Sequence, residues 1–411
     1  MINQSSKASP VTGKERIISL DILRGFAVLG ILIMNIQSYS MIGAAYMNPT
    51  AYGDLSGLNR WVWTLSHLFA DMKFMGLFSL LFGAGIVLFT QRAETKGYNP
   101  ARLHYRRTFW LFVFGLLHAY LLWYGDILVT YALCALTVYF FRKLSPQKLL
   151  VIGLILVAIG SLIYIFFGLS LPYWPEEAVQ GNLVYWQPGE AEVAAEMAAY
   201  RGGWLAQMAY RGPGAFVFQT FIFLIYTSWR AGGWMLIGMA LYKWGILSAQ
   251  RSRRFYRNLL LIGFALGLPI IFLGIQRHFQ AGWEFKYSMY HGSQFNYWAS
   301  LLVSLGYIGL VMLFCQKDVF VKLKQALAAA GRMAFSNYIL QTVICTLLFY
   351  GHGFGLYGRV ERTGQIVIVF GIWILQLMLS PLWLKFFRFG PIEWAWRSLT
   401  YGKIQKFKLN R

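Results

Sequence analysis

The chain runs to 411 residues, 58% hydrophobic and 13% charged, with a mean hydropathy of +0.51. Soluble domains carry about 25% charged residues, so an ordinary soluble fold is excluded. A formal net charge of +22 on a soluble surface would point to nucleic acid, but here the basic residues sit between apolar runs, which argues for a membrane and against a nucleic-acid partner.

The apolar runs reach bilayer-spanning length and are continuous rather than alternating. They predict an all-α fold, a polytopic transmembrane helical bundle, and exclude a β-barrel. About ten spans are expected, near 22–42, 73–90, 108–124, 126–141, 149–171, 214–247, 258–275, 297–316, 333–350 and 364–386. With both termini cytoplasmic, most of the 37 lysines and arginines fall at the N-terminus and in 91–107, 142–148, 243–257, 317–332 and 385–411. That satisfies the positive-inside rule and suits a cell membrane, N-in and C-in, with anionic lipids as partners. The chain then divides into a cytoplasmic segment 1–17, a transmembrane half 18–171, an outer loop 172–213, a second transmembrane half 214–386 and a basic interfacial tail 387–411. The polar first fifteen residues show no apolar signal core, so the first span is expected to remain as an anchor. Cys134, Cys315 and Cys345 all lie in apolar runs and read as small core residues.

In chain order, the first motif is SLDILRGFAVLGILIMN, residues 19–35. Asp21 and Arg24 stand at the mouth of a span and Asn35 lies deep in it, three turns from Arg24 on the same helical face. Polar groups in a span usually face a bundle interior or wet cavity, so this helix is expected to line something. Arg24 can offer its fork to a phosphate or carboxylate, or serve simply as a helix-end anchor beside Asp21. Residues 60–72 are short, with Trp, His and Asp, and read as an outer interfacial segment.

In 105–133, His118 lies toward the outer end of a span and Asp126 follows a glycine at the turn. A carboxylate orienting an imidazole makes a general base, while the plainer alternative is a bonded His and an Asp capping the next helix. The second half of the outer loop, EAEVAAEMAAYRGGWLAQMAYR, reads as an amphipathic interfacial helix or a surface connector. Residues 214–247 are expected to hold a half helix and a full span, broken at Trp229–Gly233 beside Arg230. Arg230 would be buried against a carboxylate or face a substrate cavity.

In GRMAFSNYILQT, residues 331–342, Asn337 and Gln341 share one face and suit either substrate contact or bonding between helices. The tail FRFGPIEWAWRSLTYGK should form an inner interfacial helix, with Pro391 in its first turn and Arg397 available to a headgroup or cofactor phosphate. No histidine pair, cysteine pair, phosphate-cradling loop or nucleophile elbow appears, so no metal is expected.

Together, RIISLDILRGFAVLGILIMNI, FMGLFSLLFGAG, RRTFWLFVFGLLHAYLLWYGDILVTYA, GRMAFSNYILQT and FGPIEWAWRSLTYG resemble the YeiB-like family of bacterial membrane proteins, whose C-terminal half is a domain of unknown function, number 418. The opening LDILRG, with a polar residue eleven after the Arg, is also similar to membrane acyltransferases such as the heparan-α-glucosaminide N-acetyltransferases and bacterial O-acyltransferases. The O-acyltransferases often carry His where this chain has Asn35, which leaves His118 as the base. The resemblance implies acyl-CoA as a cytoplasmic donor and a small-molecule, lipid or glycan acceptor at the membrane or outer face.

On that reading Arg24 and Arg397 attract the donor phosphates. His118 with Asp126 deprotonates the acceptor, and Asn35 supports the oxyanion. Asp21, Arg230, Asn337 and Gln341 would contact substrate. The competing expectation is a transporter of a small or lipid-like molecule, which broken helices and buried polar groups also suit.

Overall fold

The computed structural model describes residues 16–409. Nearly all of the expected cytoplasmic segment 1–17, and the last two residues of the tail, lie outside them. The helices are α1 (Ile18–Ser40), α2 (Ala44–Met47), α3 (Gly57–Phe69), α4 (Lys73–Thr95), α5 (Pro100–Leu121), α6 (Leu128–Val138), α7 (Pro146–Ser170), α8 (Glu176–Trp186) and α9 (Glu190–Arg201). They continue as α10 (Met208–Gln219), α11 (Ser228–Lys243), α12 (Arg253–Gln280), α13 (Ser293–Cys315), α14 (Val321–Arg332), α15 (Ala334–Phe349), α16 (Arg362–Phe386) and α17 (Pro391–Tyr401). Among the described residues the sole extended pairing is an isolated bridge between Phe387 and Lys408, so the fold is all-α.

Six helical stretches are long and apolar enough to cross a membrane: Ile18–Ser40, Gly57–Thr95, Pro146–Tyr173, Arg253–Gln280, Tyr287–Cys315 and Arg362–Phe386. The chain is an integral membrane protein. Helix starts follow local chemistry. Asn99 and Ser145 accept the amides of Arg102 and Lys148, each just ahead of a proline in the first turn, and Ser252 accepts the Phe255 amide.

Two glycine crossings set the packing. At Gly25 and Gly331, α1 and α14 touch backbone to backbone: a Cβ on either would strike the other helix's carbonyls, those of Leu327 and Asp21. At Gly153 and Gly233, α7 meets α11, and a Cβ would lie within 2.7 Å of the opposing glycine's carbonyl oxygen.

The second crossing corrects one expectation. Trp229–Gly233 is regular helix inside α11, and the break falls earlier, at Thr220 and the π-helical turn Phe223–Thr227. The glycines there serve close approach rather than unwinding. The outer loop also departs from a single interfacial helix. Its second half is α9 and the start of α10, separated where Gly202 leaves helical geometry with ψ −177°.

Candidate functional site

A cavity of about 320 Å³ opens among α1, α4, α5, α6, α14, α15 and α17. Its rim holds Arg16, Arg24, Arg107, Arg332 and Arg397, against Asp21 and Glu393. Asp21 is engaged by Arg24 at 3.0 Å and Arg16 at 3.3 Å. Glu393 is committed elsewhere. Its carboxylate accepts the Phe335 amide at 2.8 Å, the Ser336 amide at 3.1 Å and the Ser336 hydroxyl, which caps the N-terminus of α15.

Two of the remaining rim cations rest on aromatic faces. Arg107 lies 4.4 Å from the Trp396 ring and 4.8 Å from Phe89, and Arg397 lies 4.7 Å from Phe389. Arg332 has a buried Nε with no hydrogen-bond partner. Burial first, then the neighbouring Arg16 guanidinium, hold Arg332 below its ordinary pKa. The rim thus carries unneutralised positive charge, which favours an anion. α17 closes one side, pinned by the Trp396 indole donating to the Arg107 carbonyl at 2.9 Å.

Inward the lining turns apolar, with Ile31, Phe78, Phe82, Leu111 and Leu128, and ends at Tyr131 and Tyr338. Behind Tyr338 sits His118, its ring centroid 5.1 Å from that of the tyrosine. His118 is 2% exposed and Asp126 fully buried. His118 Nδ1 meets Asp126 Oδ1 at 2.8 Å, and Asp126 Oδ2 accepts the Val129 amide at 2.8 Å. The carboxylate therefore does both things foreseen for it, orienting the imidazole and capping α6. Gly115, one turn before His118, makes this possible: a Cβ there would sit 2.7 Å from the Val129 nitrogen. The other ring nitrogen, Nε2, lies 2.9 Å from Thr342 Oγ1, which in turn lies 2.7 Å from the Tyr39 hydroxyl.

Of the residues singled out in the sequence, Asp21, Arg24 and Arg397 line the rim, and His118 with Asp126 backs its floor. Asn35 is half-buried, outside the cavity lining, and hydrogen-bonds none of these groups. Asn337 donates to Ala330 O at 3.1 Å and Ser380 Oγ at 3.0 Å, and Gln341 to Val28 O and Gln376 Oε1, both at 2.9 Å. These amides join α15 to α1, α14 and α16.

Arg230 lies in a separate buried cluster. It donates to Ser300 Oγ at 2.8 Å and to Tyr226 OH at 3.3 Å, and packs beside Trp234 and Tyr297. Nearby, Lys73 donates to Asn296 Oδ1 at 2.6 Å, and Asn296 donates to Asp71 Oδ2 at 2.7 Å. No group of metal-ligating side chains occurs among the described residues.

Sequence reasoning missed Thr342, Tyr338, Tyr39 and the rim arginines Arg107 and Arg332. The one available signal was helical spacing: Tyr338 and Thr342 are four residues apart in the quoted GRMAFSNYILQT motif, on a face beside the one holding Asn337 and Gln341.

A family profile described as a protein of unknown function (DUF418) matches residues 241–403. The chain is 32% identical over 389 residues to the uncharacterized protein YeiB of Escherichia coli (strain K12), covering 94% of this chain and 96% of that one. It is 30% identical over 416 residues to the uncharacterized protein YxaH of Bacillus subtilis (strain 168), covering 96% and 97%. A 39.9 kDa protein of Bacillus acidopullulyticus is 28% identical over 394 residues, with 96% of each chain covered. Similarity at this level along almost the whole length makes the chain a member of the YeiB family of bacterial membrane proteins.

Proposed function

We propose that this protein is a membrane acyltransferase, taking an acyl group from cytoplasmic acyl-CoA and passing it to an acceptor hydroxyl or amine at the membrane or outer face. The observation that carries the reading is the cavity, cationic at its rim and apolar at depth, ending one side chain short of the His118–Asp126 pair. An acyl-CoA has this polarity, with phosphates at one end and an apolar chain at the other. Arg24, Arg332 and Arg397 would hold the phosphates, and the acyl arm would enter between Phe78, Phe82 and Leu128. His118, oriented by Asp126, would act as the general base. The reading takes the rim as cytoplasmic, with about ten spans and both termini inside, in keeping with the segregated basic loops.

Calorimetry of purified protein with acetyl-CoA and palmitoyl-CoA tests it, with Arg24→Ala as the comparison. Saturable binding is expected, weakened about tenfold or more in the variant, the usual cost of removing a charged hydrogen-bond partner. Absence of binding by either donor would defeat the reading.

Transport is the second reading, and the buried Asp71–Asn296–Lys73 network beside Arg230 is what favours it. Flux of a lipid-like substrate in proteoliposomes free of acyl-CoA would support it.

A further inference from the structure

A fully buried polar chain runs Asp126, His118, Thr342, Tyr39, and with a neutral imidazole one assignment of its hydrogen bonds satisfies every member. Asp126 Oδ2 accepts the Val129 amide, and in this assignment Oδ1 accepts the ring proton carried by His118 Nδ1. In the neutral ring Nε2 is the acceptor, and the hydroxyl 2.9 Å away, Thr342, donates to it. That choice leaves only a lone pair of Thr342 Oγ1 facing Tyr39, so the tyrosine hydroxyl is the donor across their 2.7 Å contact. A competing Thr342 bond to the Tyr338 carbonyl is longer, at 3.4 Å.

The result is an acid–imidazole–hydroxyl row in which the hydroxyl proton already points at the base and a second hydroxyl supports its oxygen. This is the geometry by which a weak hydroxyl nucleophile is activated. Thr342 stands one turn from Tyr338, which lines the cavity, and His118 touches both residues.

We propose, resting on the acyltransferase reading, that Thr342 is the nucleophile and that transfer passes through an acyl-threonine ester. In the first half, Thr342 Oγ1 bonds to the thioester carbonyl carbon while its proton moves to His118 Nε2. The carbon–sulfur bond breaks, and the leaving thiolate takes that proton to become free CoA thiol. In the second half, the acceptor hydroxyl or amine attacks the ester carbonyl and gives its proton to Nε2. The threonine oxygen leaves and recovers the proton, so the enzyme ends unchanged. Tyr39 donates to Oγ1 whenever it carries negative charge.

The experiment uses the full-length protein in detergent with donor alone, radiolabelled acetyl-CoA and palmitoyl-CoA in parallel, quenched in denaturant. Intact-mass and peptide analysis then locate the label, beside calorimetric binding of the same donors. Thr342→Ser keeps the hydroxyl, and Thr342→Val keeps the volume without it.

Expected is one acyl group per chain on the peptide holding Thr342, present in wild type and Thr342→Ser and absent in Thr342→Val, which still binds donor. Label on another residue overturns the proposal, as does donor binding with no label in wild type. Either result leaves the acyltransferase reading standing, as direct transfer or transfer through another group. Failure of wild type to bind any donor overturns both. Unchanged transfer to an added acceptor such as hydroxylamine in Thr342→Val overturns the nucleophile alone.

Discussion

The His118 cluster and the Lys73–Arg230 cluster are made of the same materials: an aspartate, cationic or imidazole groups, an amide or hydroxyl, all buried in an apolar bundle. They differ in what lies beside them. His118 has only Tyr338 between it and a cavity with a cationic rim. Arg230 is enclosed by Trp234, Tyr226 and Tyr297 in the main core, with its charge spread over hydroxyls and ring faces. Burial makes both clusters costly, but adjacent space is what makes one a candidate for chemistry. An enclosed network can still specify how helices pack, because Lys73, Asn296 and both terminal nitrogens of Arg230 meet defined partners on other turns and helices.

The comparison can be broken most directly at His118. His118→Ala should lower acyl transfer by about 10²–10⁴-fold, the usual worth of a positioned acid–base group, with donor binding retained in calorimetry. Full activity in that variant would remove the distinction between the clusters. The next largest effect is expected at Lys73. Lys73→Met strips a buried partner from Asp71 and Asn296 and should cost about 3–5 kcal/mol in thermal or denaturant unfolding, while transfer per folded molecule stays at the wild-type level. Lost transfer at full stability would move the site to that cluster. The smallest effect is expected at Gln341. Gln341→Leu gives up two interhelical bonds, each worth about 0.6 kcal/mol in a membrane bundle, and should leave donor affinity unchanged in the same calorimetric titration. Weakened binding would instead return Gln341 to the substrate-contact role its position first suggested.

Much of the architecture was legible in residue order because it depends on local physics. Continuous apolar runs marked the long helices. The Gly-Pro before α17 marked the start of the C-terminal helix. His118 and Asp126 could be offered as a pair or as a bonded imidazole and a separate helix cap, and their 2.8 Å contact across the turn came only with the structure. The break in the sixth apolar segment could not be located. A double glycine can either unwind a helix or let another helix approach, and α7 supplied the second use.

Composition and periodicity by themselves determined that this is an all-α membrane protein with basic segments between its apolar helices, since hydrophobic burial and charge segregation act on short stretches. Tertiary structure alone decided which polar groups meet. Thr342 reaches His118 across 224 residues, and Gln341 reaches Val28 across 313. Those contacts depend on helix rotation and crossing, set by glycine approaches such as Gly25 on Gly331. The same crossings leave Asn35 outside the cavity lining while Arg24, eleven residues earlier on its helix, stands at the rim. A helical face can be read from spacing, but what stands opposite it belongs to the whole bundle.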